Sequence, residues 1–192
     1  MVNNNIQRQY FEREPAKRVF ASELREVKVQ FKGSEDEKSP SYVLLPTGER
    51  ANRIFIVGSM TEKNRRGDQN TFYTARISDP TGIFSVNAGN YQPEAMEQIS
   101  RIEPPAFVAV VGKPNLYETQ DGAKRVSVRV ESINEVDAET RMLWMLDTAE
   151  QTLERLKVIN DTGDGRAAIE EYGNLPHSFR KVVYDALAQM KI

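Results

Sequence analysis

The run Arg53-Ile54-Phe55-Ile56-Val57-Gly58-Ser59-Met60-Thr61 and, after a charged loop, the run Phe72-Tyr73-Thr74-Ala75-Arg76-Ile77-Ser78-Asp79-Pro80-Thr81-Gly82-Ile83-Phe84-Ser85-Val86 decide the fold. The second run is a strand that breaks at Asp79-Pro80-Thr81-Gly82 and resumes at once, which makes a tight hairpin. Downstream, Phe107 to Gly112 and Arg125 to Val130 read as two more strands, and Glu94 to Arg101 carries a helical pattern ahead of them. Pro93 suits the start of that helix, and Pro104-Pro105 stops it. Three strands, a helix and two strands, with Gly58 and Gly112 set inside strands, is the element order of an OB-fold barrel. Such barrels mostly bind single-stranded nucleic acids or oligosaccharides, so the segment narrows the function to a short list.

Alternation within the strands separates an inside from an outside. Tyr73, Ala75 and Ile77 share a face, as do Phe84, Val86 and Ala88, Val108, Val110 and Gly112, and Val126, Val128 and Val130. A closed barrel buries one set, and the apolar set is the one to bury. Phe72, Arg76, Asn87, Lys113, Arg125 and Arg129 are then expected outside.

Outward from the barrel, residues 1–52 read as a polar arm (1–22) followed by a β decoration. Val27, Val29 and Phe31 alternate with polar residues, and Tyr42–Leu45 forms a second strand closed by a Pro46-Thr47-Gly48 turn. Residues 53–136 form the barrel, and residues 137–192 form a helical C-terminal region. Asp137 caps a helix over 138–157, whose Met142, Leu146, Ala149, Leu153 and Leu156 follow a 4-3-4-3 spacing, a heptad-like seam widened by Leu143 and Met145. The seam suits either a partner or the protein's own barrel and tail. Residues 160–165 read as a linker, and 166–190 as a small helical tail carrying Phe179, Val182, Val183, Ala186, Leu187 and Met190, with Pro176 before its last helix and Ser178 as cap. The fold class is mainly β with α.

The 192 residues suit one domain with an appendage, and a hydrophobic content of 39% supports a core. A net charge of −2 argues against a grip on nucleic acid through bulk charge, and the barrel segment carries ten Lys and Arg against ten Asp and Glu. Any phosphate contact therefore comes from a local basic strip. The chain has no cysteine and one histidine, His177, so disulfides, thiolate metal sites and a catalytic Cys–His pair are excluded. That composition fits a cytoplasmic location. No apolar run is long enough to span a bilayer. His177, beside a proline at a helix start, suits a solvent-exposed or capping place. Asp79 is a turn former rather than a catalytic acid. No catalytic set, metal site or cofactor is expected.

A binding signal does emerge. OB-folds that hold nucleic acid pair base-stacking aromatics with cations that meet phosphates. The loop after the first strand offers Lys63, Arg65 and Arg66. The outer face adds Phe72, Arg76, Asn87, Lys113, Arg125 and Arg129, and Tyr91, Tyr117 and Lys124 stand in the flanking loops. Taken singly, Phe72, Tyr91 and Tyr117 suit a core as well as a ligand, and a basic cluster at 63–66 suits a solvated loop.

Several motifs also resemble the archaeal replication protein A–associated family. They are Glu14-Pro15-Ala16-Lys17-Arg18-Val19-Phe20-Ala21, Leu44-Leu45-Pro46-Thr47-Gly48, Arg53–Gly58, Ile77-Ser78-Asp79-Pro80-Thr81-Gly82 and Ala88-Gly89-Asn90-Tyr91-Gln92-Pro93-Glu94-Ala95. The resemblance implies a single OB-fold that binds single-stranded DNA beside a larger replication protein A subunit, in replication, repair or recombination. It also implies that Met142–Leu156 packs on partner helices, with a homo-oligomer as the other arrangement. The rival reading is an assembly adaptor with little DNA affinity of its own.

Overall fold

Residues 14–36, 39–68 and 70–190 are described by the structure, a computed structural model; the expected polar arm falls mostly on residues outside them. Five long strands follow the two decisive runs: β5 (Ile54–Arg66), β6 (Phe72–Asp79), β7 (Gly82–Ala88), β8 (Ala106–Glu118) and β9 (Lys124–Glu135). They close into a barrel in the order β5-β6-β7-β9-β8 and back to β5, with β7 and β9 parallel and the other neighbours antiparallel. Helix α2 (Pro93–Arg101) enters between β7 and β8 and buries Ala95 and Ile99. The apolar face expected inside is inside: Ala75, Ile77, Phe84, Val86, Ala88, Val108, Val110, Val128 and Val130 are buried.

Closure requires β5 to change partners. Its residues 54–60 pair with β8, and from Ser59 onward it pairs with β6, across an irregularity between Met60 and Glu62. Gly58 lies just before the change, and a Cβ there would stand 2.5 Å from the Ser78 carbonyl oxygen. Gly112 sits at the bulge of β8, where a Cβ would meet the Arg129 carbonyl oxygen at 2.5 Å. Both glycines admit a close strand approach that a side chain would block.

The segment 14–25 is built into the fold instead of trailing as an arm. Strand β1 (Lys17–Arg18) adds in parallel to the start of β5, and Val19 and Phe20 are fully buried. The segment's burial escaped the sequence reading because its five apolar residues, Ala16, Val19, Phe20, Ala21 and Leu24, are scattered among Glu14, Lys17, Arg18, Glu23 and Arg25. Helix α1 (Ala21–Arg25) has no cap of its own. The β6–β7 turn supplies one: Asp79 Oδ2 accepts from the Ala21 amide at 2.8 Å and Thr81 Oγ1 from the Ser22 amide at 3.0 Å. Asp79 also accepts from the Thr81 and Gly82 amides and the Thr81 hydroxyl. Asp-Pro-Thr-Gly thus shapes the hairpin and caps a helix some 58 residues upstream. Burial pushes the Asp79 carboxyl up, against the pull of these hydrogen bonds.

A second sheet, β2 (Gln30–Lys32), β3 (Ser41–Leu44) and β4 (Arg50–Ala51), lies beside the barrel. Three helices follow the barrel: α3 (Ala138–Lys157), α4 (Gly163–Tyr172) and α5 (Leu175–Ala188). Asp137 caps α3, accepting from the Thr140 amide at 2.8 Å. Helix α4 begins inside the expected 160–165 linker, capped by Thr162, which accepts from the Gly165 amide. Ser178 does not cap α5; its hydroxyl donates back to the Leu175 carbonyl within the first turn.

Helix α3 buries a different stripe from the expected seam. Its inner face is Trp144, Met145, Thr148, Ala149, Thr152, Arg155 and Leu156. Trp144 donates to the Phe55 carbonyl at 3.0 Å and meets Phe20 edge-on. Arg155 forms a buried ion pair with Glu23 at 2.9 Å and donates to Thr47 Oγ1 and Thr152 Oγ1. The polar members of the stripe are satisfied inside, so an amphipathic count underrates that face. Ala149 and Leu156 belong to the protein's own core, while Met142, Leu146 and Leu153, with Leu143, are exposed.

Candidate nucleic-acid interface

Strand register sets the outer face of the barrel into rows. Glu62, Arg76, Ser85, Ser127 and Asn115 stand side by side across five strand segments. Asn64, Thr74, Asn87, Arg129 and Lys113 form the next row. Arg66 pairs with Phe72 at one end of this surface, and Tyr117 pairs with Arg125 at the other. Since side chains on one strand face repeat every second residue, these rows share one side of the sheet.

The rows floor a cleft of about 730 Å³, edged by Phe72 and Tyr117 and lined also by Arg66, Arg76, Asn87, Gln92 and Asn115. Phe72 and Tyr117 are 39% and 41% exposed, so each presents ring surface to the cleft. Two further depressions share residues with it. One, of about 480 Å³, holds Lys113 and Arg129 against the N-terminal sheet; the other, of about 370 Å³, holds Arg25, Lys124 and Arg125 beside Ile83. Together their described linings bring seven cations against one carboxylate, Glu62. Among the described residues Arg66, Arg76, Lys113 and Arg129 form no ion pair, whereas Arg53 and Arg101, elsewhere on the barrel, are paired with Glu131 and Glu97. A neutral barrel thereby carries one basic strip.

Three expected residues stand apart. Lys63 is tied to the end of α2: its ammonium donates to the Ser100 and Ile102 carbonyls and to Glu103 at 2.7–3.0 Å. Arg65 lies on the opposite face of the β5–β6 hairpin, beside Tyr73, and donates to Thr71. Tyr91 is 96% exposed and borders none of the three depressions. Lys124 reaches its depression while donating to the Lys28 carbonyl at 3.0 Å. Alternation along the first strand past residue 61 would have separated Lys63 and Arg65 from Arg66; the stretch 62–66 read as a loop, so that signal went unused. Sequence reasoning left Asn64, Asn115, Ser85 and Ser127 out of the site: alternation sets Ser85 beside Asn87 and Ser127 between Arg125 and Arg129, whereas Asn64 and Asn115 lie past the expected strand ends, and register brings all four into the rows.

No group of three or more His, Cys, Asp or Glu residues among the described ones is placed to hold a metal, and no described helix is long and apolar enough to cross a membrane.

The closed barrel with its added strand and C-terminal helices makes this an OB-fold protein. Its structure is similar to the crystal structure of the S. pombe Stn1–Ten1 complex, with a TM-score of 0.60 at 15% identity over 76% of this chain and 96% of that one. Likeness is weaker to the second single-stranded DNA-binding protein of Mycobacterium smegmatis, with a TM-score of 0.38 at 18% identity over 44% of this chain and 86% of that one. A mitochondrial single-stranded DNA-binding protein of S. cerevisiae, Rim1, gives a TM-score of 0.35 at 22% identity, covering 44% and 94%. No protein-family model matches the chain, and no curated protein matches it in sequence.

Proposed function

We propose that this chain binds single-stranded DNA in the barrel cleft, as the OB-fold subunit of a replication protein A–type assembly serving DNA replication, repair or recombination, without catalysis. The observation that carries this reading is the register-built strip in which Arg76, Arg129 and Lys113 lie in the rows between Phe72 and Tyr117, with Arg66 beside Phe72, all four free of carboxylate partners among the described residues. Rings stack on bases of any identity, and unpaired cations meet phosphates. The assembly part is supported by Met142, Leu143, Leu146 and Leu153, exposed along α3 while the opposite face packs on the barrel. A larger partner subunit would cover them.

The test is the affinity for fluorescent oligo-dT at several salt concentrations. Each phosphate contact contributes about 0.7 to the slope of log K against log salt for single strands. Arg76→Ala with Arg129→Ala should flatten that slope by about 1.4. Absence of binding by the wild-type chain, with retained capture of a partner through α3, would favour the adaptor reading instead.

A further inference from the structure

The two rings of the main cleft stand at opposite ends of the rows. Phe72 lies one row beyond Thr74, and Tyr117, opposite Arg125, lies one row beyond Asn115 and Ser127. A nucleic-acid strand that enters over Phe72 and crosses the rows therefore leaves over Tyr117. Register also sets what it meets there. Ile83 precedes Ser85 by two residues, as Arg125 precedes Ser127, so Ile83 joins the row of Tyr117 and Arg125 on the same side of the sheet. Its side chain is 46% exposed, an apolar surface held out among cations.

The depression at this end, of about 370 Å³, shares Arg76, Ser85 and Tyr117 with the main cleft. Its far wall is α1, through Ala21, Leu24 and Arg25. That wall is fixed, because Asp79 and Thr81 accept from the Ala21 and Ser22 amides and Leu24 is buried in the core. Gly82 leaves room for the Arg25 guanidinium above the hairpin turn: a Cβ there would stand 3.8 Å from Arg25 Nη1. Arg25 Nε meets the neighbouring Glu26 carboxylate at 3.2 Å in an exposed pair, and no other hydrogen bond engages that guanidinium among the described residues. Lys124 spends one of its three donors on the Lys28 carbonyl. Arg25, Arg76, Lys124 and Arg125 thus face one depression whose described lining holds no carboxylate.

We propose that this depression is the exit of the single-stranded path: the strand leaving the cleft over Tyr117 lays a nucleoside on Ile83, and Arg25, Lys124 and Arg125 hold its phosphates. The inference rests on the nucleic-acid reading of the cleft, and it gives α1, a segment outside the barrel, a direct part in binding. Cations around an apolar shelf hold a strand by its backbone and position it without reading sequence. The exit also makes affinity depend on length beyond the span of the cleft. Along β6 the rows fall on Phe72, Thr74, Arg76 and Ser78, the last level with Ile83. That is about 20 Å at about 3.3 Å per residue, a span that about 5 nucleotides fill at about 3.4 Å each.

The chain has no cysteine, so Ile83→Cys gives it a single thiol, and alkylation of that thiol by a maleimide reads whether the depression is covered. Saturating oligo-dT of about 16 nucleotides should block the alkylation, and saturating oligo-dT of about 5, which the cleft alone accommodates, should leave it unchanged. Arg25→Gln should lower the salt slope by about 0.7 for the longer oligonucleotide and leave it unchanged for the shorter. Thermal melts establish that both variants fold, and Arg25→Gln decides if Ile83→Cys does not. Alkylation at the free rate under the saturating longer oligonucleotide, or a slope unmoved by Arg25→Gln, would overturn the exit path and leave the cleft binding intact. A chain that binds neither oligonucleotide would overturn both.

Discussion

Phe72 and Tyr117 hold rings at the two edges of one cleft, half exposed on a folded scaffold. Replacing both by Ala should weaken oligo-dT binding by about 1–3 kcal/mol per stack, with the melting temperature unchanged. Unchanged affinity in the folded double variant would remove the rings from the interface. Lys63→Gln provides the contrast, because that ammonium already serves three acceptors at the end of α2; the salt slope should stay as in the wild type. Arg155 has a different kind of importance. Its guanidinium meets Glu23 through two oxygens at 2.9 and 3.1 Å, and Glu23 is fully buried. Arg155→Met should strand that carboxylate and cost about 3–5 kcal/mol in urea denaturation, and a further Glu23→Leu should recover much of the loss.

At the scale of elements, α3 shows how a face is chosen. Its exposed Leu146 and Leu153 lie off the core, so Leu146→Glu with Leu153→Glu should leave the monomer's melting temperature unchanged and abolish co-purification with a larger partner subunit. A shift from dimer to monomer would identify a second copy as the occupant. Cooperative unfolding would place the stripe in the core after all. The barrel was legible because period-two alternation and the Asp-Pro-Thr-Gly turn are local signals, readable without knowing any partner. The packing of α3 was not, because Thr152 and Arg155 become core residues only once the distant Glu23 and Thr47 are at hand, while Thr148 turns its hydroxyl onto the Trp144 carbonyl of its own helix. The site divides the same way. Arg76, Lys113, Ser127 and Arg129 follow from alternation, whereas Asn64 and Asn115 enter through register past the expected strand ends, and Lys63 leaves through a contact with a helix end.

At the scale of the whole molecule, the elements before and after the barrel lock onto one another across its flank. Arg50 of β4 donates to Asp164 of α4 through Nε and Nη2 at 2.5–3.0 Å, and its backbone amide adds a contact at 3.2 Å. The Arg50 guanidinium, through these hydrogen bonds, holds the Asp164 carboxyl below the ordinary carboxylate range. A carboxylate depressed in the folded state contributes stability that is present above its unfolded value, about 3.9, and is lost as pH falls through the folded value. The same guanidinium lies over the Phe31 and Tyr42 rings at 5.4 and 6.0 Å, a contact that does not titrate with Asp164. Wild type and Arg50→Met, compared by denaturant unfolding from pH 6 down to about pH 3, should therefore differ by a constant amount at the upper end. The difference should narrow below about pH 4 as Asp164 is protonated in both, leaving a remainder from the rings. A difference independent of pH throughout would mean that the pair contributes nothing as a charge, and that β4 and α4 are held by packing alone.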